Sequence, residues 1–491
     1  MGTSANPASG RQPQSPGLGD RFYQWLDRRT GIDGLLREAL DEPIPGGAKY
    51  AYVFGSALLF VFLSQVITGV FLAMYYVPSA DHAHTTVAYI TKVVTGGSFI
   101  RSIHVYGADA MMILLVLHMS QVFFYGAYKK RRELLWMSGG VLMLLIIGMA
   151  FTGYLLPWSE QSYFATSVGT SLIGEVPWIG SYLKEIILGG GDMGTLTVSR
   201  FFVLHVFILP AAIFGFIAVH IYLFRTAGAA GPAWGNPETI RAKTENFYPR
   251  QVIKDIVFVT LVIMVMGLLA YFKPADLGPA ANPANTTYLP RPDWYFRPFF
   301  EWLKFWKGGD EFIGEMIVPA VGILIFFLVP FIDRNPERAP RRRPNAMTLL
   351  MVGLCAILGL GWYSYHQDAV DPSVAKELHL QSEEDVRFMA APFHVEMIGN
   401  IPGKVAPVNK TVAAGEKIFN NQGCSTCHGQ GGVGTAIAPK LIGIVKKLGG
   451  ASKVGYLIDH ENAAMKAGGM PQFHLAPNQM KQLLAYLSSL K

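Results

Sequence analysis

The chain has 491 residues, 51% of them hydrophobic and only 15% charged, with a mean hydropathy of +0.30. A soluble domain carries about 25% charged residues, so the composition excludes an ordinary soluble protein and predicts a membrane one. The formal net charge of +7 does not point to nucleic acid, because the basic residues gather at 129–133, 225–254 and 333–344, each between apolar segments, as positive-inside loops do.

In chain order, residues 1–20 lack an apolar signal core and are expected to form a disordered cytoplasmic tail. Phe22, Trp25, Leu26, Ile32, Leu35 and Leu36 follow near helical spacing with charges between them, which predicts an amphipathic helix lying on the membrane surface. Seven segments are apolar enough to supply the roughly 20 residues a bilayer needs: 51–77, 102–126, 134–156, 201–224, 253–272, 315–332 and 346–365. The three basic loops follow the second, fourth and sixth spans. All three therefore fall on one face, taken as cytoplasmic together with the N-terminus, and the C-terminus falls on the other. Gly and Pro break the loop at 157–200 into short helices, and 367–410 reads as a polar linker. Lone Cys355 in the last span reads as a buried small hydrophobe. His82, His84, His366, His379, His394 and His460 read as surface or linker histidines.

Span two carries His104 and His118, fourteen residues apart, and span four carries His205 and His220, fifteen apart. At about 100° and 1.5 Å per residue, each pair returns to nearly the same helix face some 21–22 Å further along. Both spans run in the same direction, so His104 faces His205 near the outer surface and His118 faces His220 near the inner one. Two bis-histidine haems stacked across a bilayer need this arrangement. Buried histidines can merely hydrogen-bond neighbouring helices, but four in register argue otherwise, because ionisable groups in a membrane are costly. Gly55 and Gly69 in span one, and Gly139 and Gly153 in span three, repeat the fourteen-residue step. A missing side chain at each level lets a flat macrocycle approach the backbone, whereas small residues for helix packing alone do not explain the matching interval. Arg101 and Arg200 are candidates for haem propionates, with surface-anchoring arginines as the alternative.

Near the C-terminus, Cys424, Cys427 and His428 form a CxxCH haem-attachment motif. The two cysteines would form thioethers to a haem c, and His428 would supply one axial ligand. Residues 411–491 have the composition of a small soluble helical domain, opened by a helix before the motif and closed by one after 476. Met470, ahead of Pro471, is the favoured sixth ligand, with Met465 and His474 as competitors.

With these residues in view, the chain resembles the cytochrome b subunit of the quinol:cytochrome c oxidoreductases, the cytochrome bc1/b6f family. The resemblance covers about residues 20–365 and rests on "RSIH…H", "TGYLLPW" (152–158), "SRFFVLH…H", "FYPRQVIKD" (247–255) and "PDWYF" (292–296). It implies an all-α architecture: a four-helix di-haem domain over 21–245, a three-helix domain over 246–366 similar to subunit IV of the b6f branch, the linker, and a class I cytochrome c domain over 411–491. It also implies two haem b and one haem c, a bacterial cytoplasmic membrane, a dimeric complex, and a downstream cytochrome c or oxidase. Val53 stands where the b6f branch has a cysteine for an extra covalent haem, so that haem is not expected. No Rieske signature occurs in the chain, so the iron–sulfur cluster is expected from a partner.

The implied reaction is oxidation of a quinol at the outer side, with its two electrons split between the iron–sulfur partner and the b haems, coupled to proton translocation. Asp293, between Pro292 and the Trp294–Tyr295 pair, is the implied proton acceptor, since a half-apolar site raises a carboxyl pKa. Tyr295 would orient it or touch the quinol, with Pro157, Trp158 and Tyr163 on the opposite wall. Asp255 would deliver protons at the inner face, with Arg225 a weaker candidate. Aspartate replaces the family's usual glutamate at 293, resembling members that use menaquinol. A passive di-haem electron-transfer anchor and a transporter or scaffold with structural haems are the competing readings. A plain alternative for Asp293 itself is an ion pair with Arg291 or Arg297.

Overall fold

The computed structural model describes residues 17–285, 287–393, 410–428, 438–460, 473 and 475–490. Met465, Met470, His474 and His394 lie outside the described residues, as does most of the expected tail. The chain divides into two compact units, 1–394 and 395–491.

The stretch expected to form one interfacial helix is two, α1 (Leu18–Thr30) and α2 (Ile32–Leu40). Gly31 separates them at φ 66°, a left-handed conformation that costs glycine little, and the Asp33 amide donates to the Asp27 side chain across the break at 2.8 Å. The only strands among the described residues, β1 (Pro43–Ile44) and β2 (Glu245–Asn246), form one short antiparallel pair. The protein is otherwise helical. Residues α3 (Phe54–Ala73), α4 (Ala83–Lys92), α5 (Gly97–Phe124) and α6 (Glu133–Leu155) follow in order. The loop at 157–200 folds as α7 (Glu160–Gly174) and α8 (Gly180–Leu188). Next come α9 (Thr195–Val203), α10 (Leu209–Ala227), α11 (Pro237–Ala242), α12 (Arg250–Phe272), α13 (Arg297–Leu303), α14 (Val318–Ile332), α15 (Pro344–Val370) and α16 (Pro372–Ala390).

Among the described residues seven helical stretches are long and apolar enough to cross a membrane: α3, α5, α6, Thr195–Ala227, α12, Gly308–Ile332 and α15. Their interior is a narrow apolar seam of Ala57, Val61, Phe62, Met111, Leu114, Ile213, Val259 and Met266, while most of their apolar side chains face outward, as lipid-facing helices require. The three basic loops meet at one end. Lys129 pairs with Asp333 at 2.8 Å, Arg132 donates to the Ala227 and Gly228 carbonyls, and Arg338 donates to those of Ala230 and Gly231.

The fourth span is not a uniform α-helix. Residues Leu204–Ile208 form a π-turn, closed by the Leu209 amide on the Leu204 carbonyl. Pro210, with no N–H to give, cannot continue the α-pattern there, and a π-turn accommodates one extra residue. That extra residue is the difference between the fifteen-residue step from His205 to His220 and the fourteen-residue step from His104 to His118. Pro319 follows a second π-turn, Ile313–Ile317, in the sixth span.

Three expectations are corrected. The segment expected to be a featureless linker carries α16 over 372–390, capped by Asp371 and seated on the first unit by Phe388 against His84, 5.1 Å between ring centroids. His84 is therefore buried rather than on the surface, and its ring Nε2–H donates to the Gly278 carbonyl at 2.8 Å. Cys355 is exposed on the flank of α15 rather than buried, because that face of the helix meets lipid and not a packed core.

The second unit is built by α17 (Lys410–Asn421), α18 (Cys424–His428), α19 (Ile444–Lys447), α20 (Ala451–Asp459) and α21 (Pro477–Ser489). Here α17 crosses α21 so closely that a side chain at Gly415 would strike the Gln482 carbonyl. Phe419, Val454, Ile458, Leu483, Tyr486 and Leu487 fill the core.

Candidate functional site

The four span histidines occupy the positions that the helix register dictates. His104 and His205 face each other edge-on with ring centroids 6.2 Å apart, and His118 lies within electrostatic reach of His220. Helix α3 runs antiparallel to α5, which sets Gly69 against His104 and Gly55 against His118; α6 sets Gly153 against His205 and Gly139 against His220. A Cβ added to these glycines would stand 3.2, 3.3, 2.5 and 3.2 Å, respectively, from the facing imidazole. The histidine ring alone therefore excludes a side chain at Gly153 and crowds one at the other three positions, before any macrocycle is considered.

Three of these glycines directly follow a hydroxyl residue, a signal visible in the sequence but passed over in reading it. Thr68 Oγ1 lies 2.9 Å from His104 Nδ1, Thr152 Oγ1 3.2 Å from His205 Nδ1, and Ser138 Oγ 2.9 Å from His220 Nδ1. Each hydroxyl already donates its proton to a carbonyl of its own helix: Ser64, Gly148 and Leu135. Its oxygen must therefore accept from the imidazole Nδ1–H, and for His205 the Met149 carbonyl accepts as well, at 3.1 Å. That fixes the tautomer and leaves Nε2 with its lone pair available, as an iron-binding histidine requires. The fourth case differs. Phe54 precedes Gly55, and His118 Nδ1 is buried with no hydrogen-bond partner among the described residues. In the second unit, His428 Nδ1–H donates to the Pro439 carbonyl at 2.7 Å, again freeing Nε2. Four half-buried imidazoles against four glycines, three of the imidazoles with Nε2 kept free by an Nδ1–H bond, fit two b-type haems; Cys424 and His428 on α18 fit a c-type haem.

The two arginines proposed for propionates are engaged with backbone. Arg101 is buried and donates to the carbonyls of Ala275 (2.8 Å) and Asp276 (2.6 Å), and exposed Arg200 donates to the Ile186 carbonyl.

The segment 290–297 is held at both ends by one carboxylate. Arg291 pairs with Asp368 at 2.9 Å and Arg297 with the same group at 2.6 Å; Asp368 sits on the last turns of α15, which runs past its expected end at 365 to Val370. The arginines that flank Asp293 are thus occupied elsewhere. Asp293 instead accepts from the Tyr295 hydroxyl at 3.1 Å, and its main-chain carbonyl accepts from the Phe296 and Arg297 amides, which turns the chain into α13. Burial pushes the Asp293 carboxyl up to about 6; the Tyr295 hydrogen bond opposes this, the nearby Asp109 charge adds to it, and Arg297 opposes it. Burial and the Asp293 charge likewise push the Tyr295 phenol upward. Trp294 donates its indole N–H to Asp109 on α5 at 2.7 Å. Tyr154 of "TGYLLPW" also lies within electrostatic reach of Asp293. Tyr163 stands edge-on to Trp158 at 5.4 Å, and Trp158, at φ 48°, is buried with Leu155, Val198 and Phe201. Asp255 lies on α12, buried, accepting from Gln251 and Ser56 at 2.8 Å each; Arg225 pairs with Glu42 at 3.0 Å. Asp109, Tyr154, Asp368 and the three hydroxyls were not singled out from the sequence.

A seven-span helical membrane protein with four imidazoles paired across its bundle, joined to a small helical domain carrying CxxCH, belongs to the class of multi-haem electron carriers. Residues 39–228 match the family model described as cytochrome b/b6/petB, residues 280–376 that described as cytochrome b(C-terminal)/b6/petD, and residues 412–491 that described as cytochrome c. A cytochrome b of Cereibacter sphaeroides is 33% identical over 65% of this chain and 78% of its own length. The menaquinol:cytochrome c reductase cytochrome b subunit of Bacillus subtilis is 39% identical over 43% of this chain and 99% of its own. A cytochrome b/c1 of Bradyrhizobium diazoefficiens is 33% identical, and the chain spans 50% of that protein's length. A solved structure, a hyperthermophilic respiratory Complex III, superposes with TM-score 0.63 at 27% identity, over 77% of this chain and 100% of that one. The chain belongs to the cytochrome b family of bc-type quinol:cytochrome c oxidoreductase complexes, and it carries a cytochrome c domain at its C-terminal end.

Proposed function

We propose that the chain is the haem-carrying subunit that oxidises a quinol, with menaquinol favoured, at the end of the bundle marked by His104 and His205. This end is read as the outer face of a bacterial cytoplasmic membrane, with the basic loops and N-terminus cytoplasmic. The observation that carries the reading is four imidazoles paired across one bundle, three of them with Nε2 left free by an Nδ1–H bond, beside a loop that presents a half-buried carboxyl. His104 with His205 and His118 with His220 would hold two b-type haems. Cys424, Cys427 and His428 would hold one haem c, with Met470 as sixth ligand. When bound, these groups supply one-electron carriers, which lets the two electrons of a quinol divide between a Rieske iron–sulfur partner and the membrane arm.

The chain's own residues handle the protons. A quinol loses two protons with its two electrons, and a carboxylate with its pKa near the working pH is suited to take one of them. Asp293 takes that role, with Tyr295 fixing the carboxyl through its hydroxyl and releasing it toward water after proton transfer. Asp255, held by Gln251 and Ser56, supplies protons at the opposite end, where quinone is reduced. The menaquinol preference is supported by the Bacillus relative's name and by aspartate at 293. A dimeric complex delivering electrons to a cytochrome c or an oxidase completes the proposal.

The test is a haem count and a bifurcation assay on the purified complex. Two b and one c haem per chain, with b-haem reduction by quinol when the inner end is blocked, are expected. Reduction of the c haem without the b haems overturns the reading in favour of a linear carrier.

A further inference from the structure

An acidic side chain inside a membrane span is costly unless it has a task, and α5 holds one. Asp109 sits five residues beyond His104, half-buried. It forms no ion pair among the described residues; its hydrogen bond comes from the Trp294 indole at 2.7 Å. Indole N–H can only donate, and a charge-assisted bond of this length is among the stronger kinds. The bond ties the residue next to Asp293 to the helix that carries His104. The same carboxylate lies within electrostatic reach of Asp293 and of Tyr295.

We propose that Asp109 is a positioning residue of the proton-accepting site, holding the Trp294 indole and placing a second negative charge beside Asp293. The inference rests on the reading of Asp293 as proton acceptor given above. The groups that face Asp293 are Tyr295 on its own segment, Arg297 at the start of α13, Tyr154 on α6 and Asp109 on α5. Tyr295 and Arg297 favour its ionised form. Burial and Asp109 favour the protonated one. Asp109 therefore opposes the first two, so that the carboxyl neither ionises permanently nor loses its hold on a proton taken from the quinol. Tyr106, one turn back on α5, is fastened separately to the Lys273 carbonyl at 2.6 Å.

Two substitutions separate grip from charge. Asp109→Asn keeps an acceptor oxygen for the indole and removes the charge; Asp109→Leu removes both. In membranes containing the whole complex, oxidation of a reduced naphthoquinone is followed from pH 4.5 to 9, with the b and c absorbance bands as the check on folding. Asp109→Asn should move the acidic limb of the rate profile to lower pH, because a carboxyl freed of a like charge ionises more readily. Asp109→Leu should lower the rate at every pH, by tenfold or more. An acidic limb that stays put in Asp109→Asn overturns the inference, and so does one that moves equally in an Asp293→Asn background. A profile indifferent to Asp293→Asn alone would instead bring down the underlying reading of Asp293, so the two failures are distinguishable.

Discussion

At the His104/His205 end of the bundle both imidazoles rest on threonine hydroxyls, whereas at the other end only His220 has such a partner, Ser138, and His118 faces a phenylalanine–glycine step. The carboxylates differ in the opposite sense. Asp293 has one side-chain donor, Tyr295, and a pKa pushed up to about 6; Asp255 is gripped by two donors. One end therefore fastens both rings and holds its acid by one donor, and the other fastens one ring and holds its acid by two. Histidines brought into matching register along two helices do not entail equal tuning of the two sites, because the tuning groups come from different neighbouring helices.

The largest expected effect is loss of a whole centre. His104→Leu and His118→Leu should each remove one b-haem absorbance band from the purified complex while the c band remains, and loss of both b bands from either variant would mean that the two ends do not assemble independently. Next comes the contrast between the acids. Asp293→Asn should slow quinol oxidation by about 10²-fold or more, the scale of a lost general base, with haem content intact; Asp255→Asn should leave the first quinol oxidation alone and slow re-oxidation of the b haems. Stopped-flow spectra with and without the inner end blocked separate the two. A smaller effect lies in pH. Asp293 must be ionised to take a proton, and its pKa is raised to about 6, so the rate should climb through about pH 6 and level off above it. For Asp255→Asn the same limb should remain in place. The smallest effect concerns the hydroxyls. A hydrogen bond of this kind contributes about 1 kcal/mol, and the bond from Nδ1–H makes the imidazole a more basic ligand. Thr68→Val or Thr152→Val should therefore raise the midpoint potential of the b haem proposed for the His104/His205 end, by up to about 40 mV for a one-electron couple, in a redox titration. Ser138→Ala should do the same at the other end, where one loss leaves no hydroxyl partner at all.

Much of this was legible in advance, and the reasons are physical. Apolar runs must match a bilayer thickness, so the seven spans were readable from length alone, and helix periodicity fixed which histidines face each other. The meeting of the three basic loops followed from charge. What escaped was whatever depends on a partner distant in sequence. Asp368 lies 71 residues from Arg297 and Asp109 lies 185 from Trp294, and no local pattern announces either pairing. Helix α16 was missed because its polar, sparsely aromatic sequence resembles a linker; it is held by a few contacts such as Phe388 on His84 and the Lys92 ammonium over Phe388. The three hydroxyls were readable as Thr-Gly, Ser-Gly and Thr-Gly steps, but their meaning required knowing that each oxygen's own proton was already spent on the helix backbone.

The π-turn at Leu204–Ile208 acts as a phase adjuster between two gears of unequal tooth number. Fifteen residues and fourteen residues mesh only because one helix takes a wider turn. A single-residue deletion between His205 and His220 should on its own be as harmful as losing a ligand, since it rotates one imidazole by about 100° while Pro210 still forces the wide turn. Combined with Pro210→Ala, the same deletion gives the helix back its ordinary pitch and should return both rings to register. Two changes that are each damaging would then be tolerated together, which makes the length of this helix and the identity of residue 210 a single inherited unit rather than two.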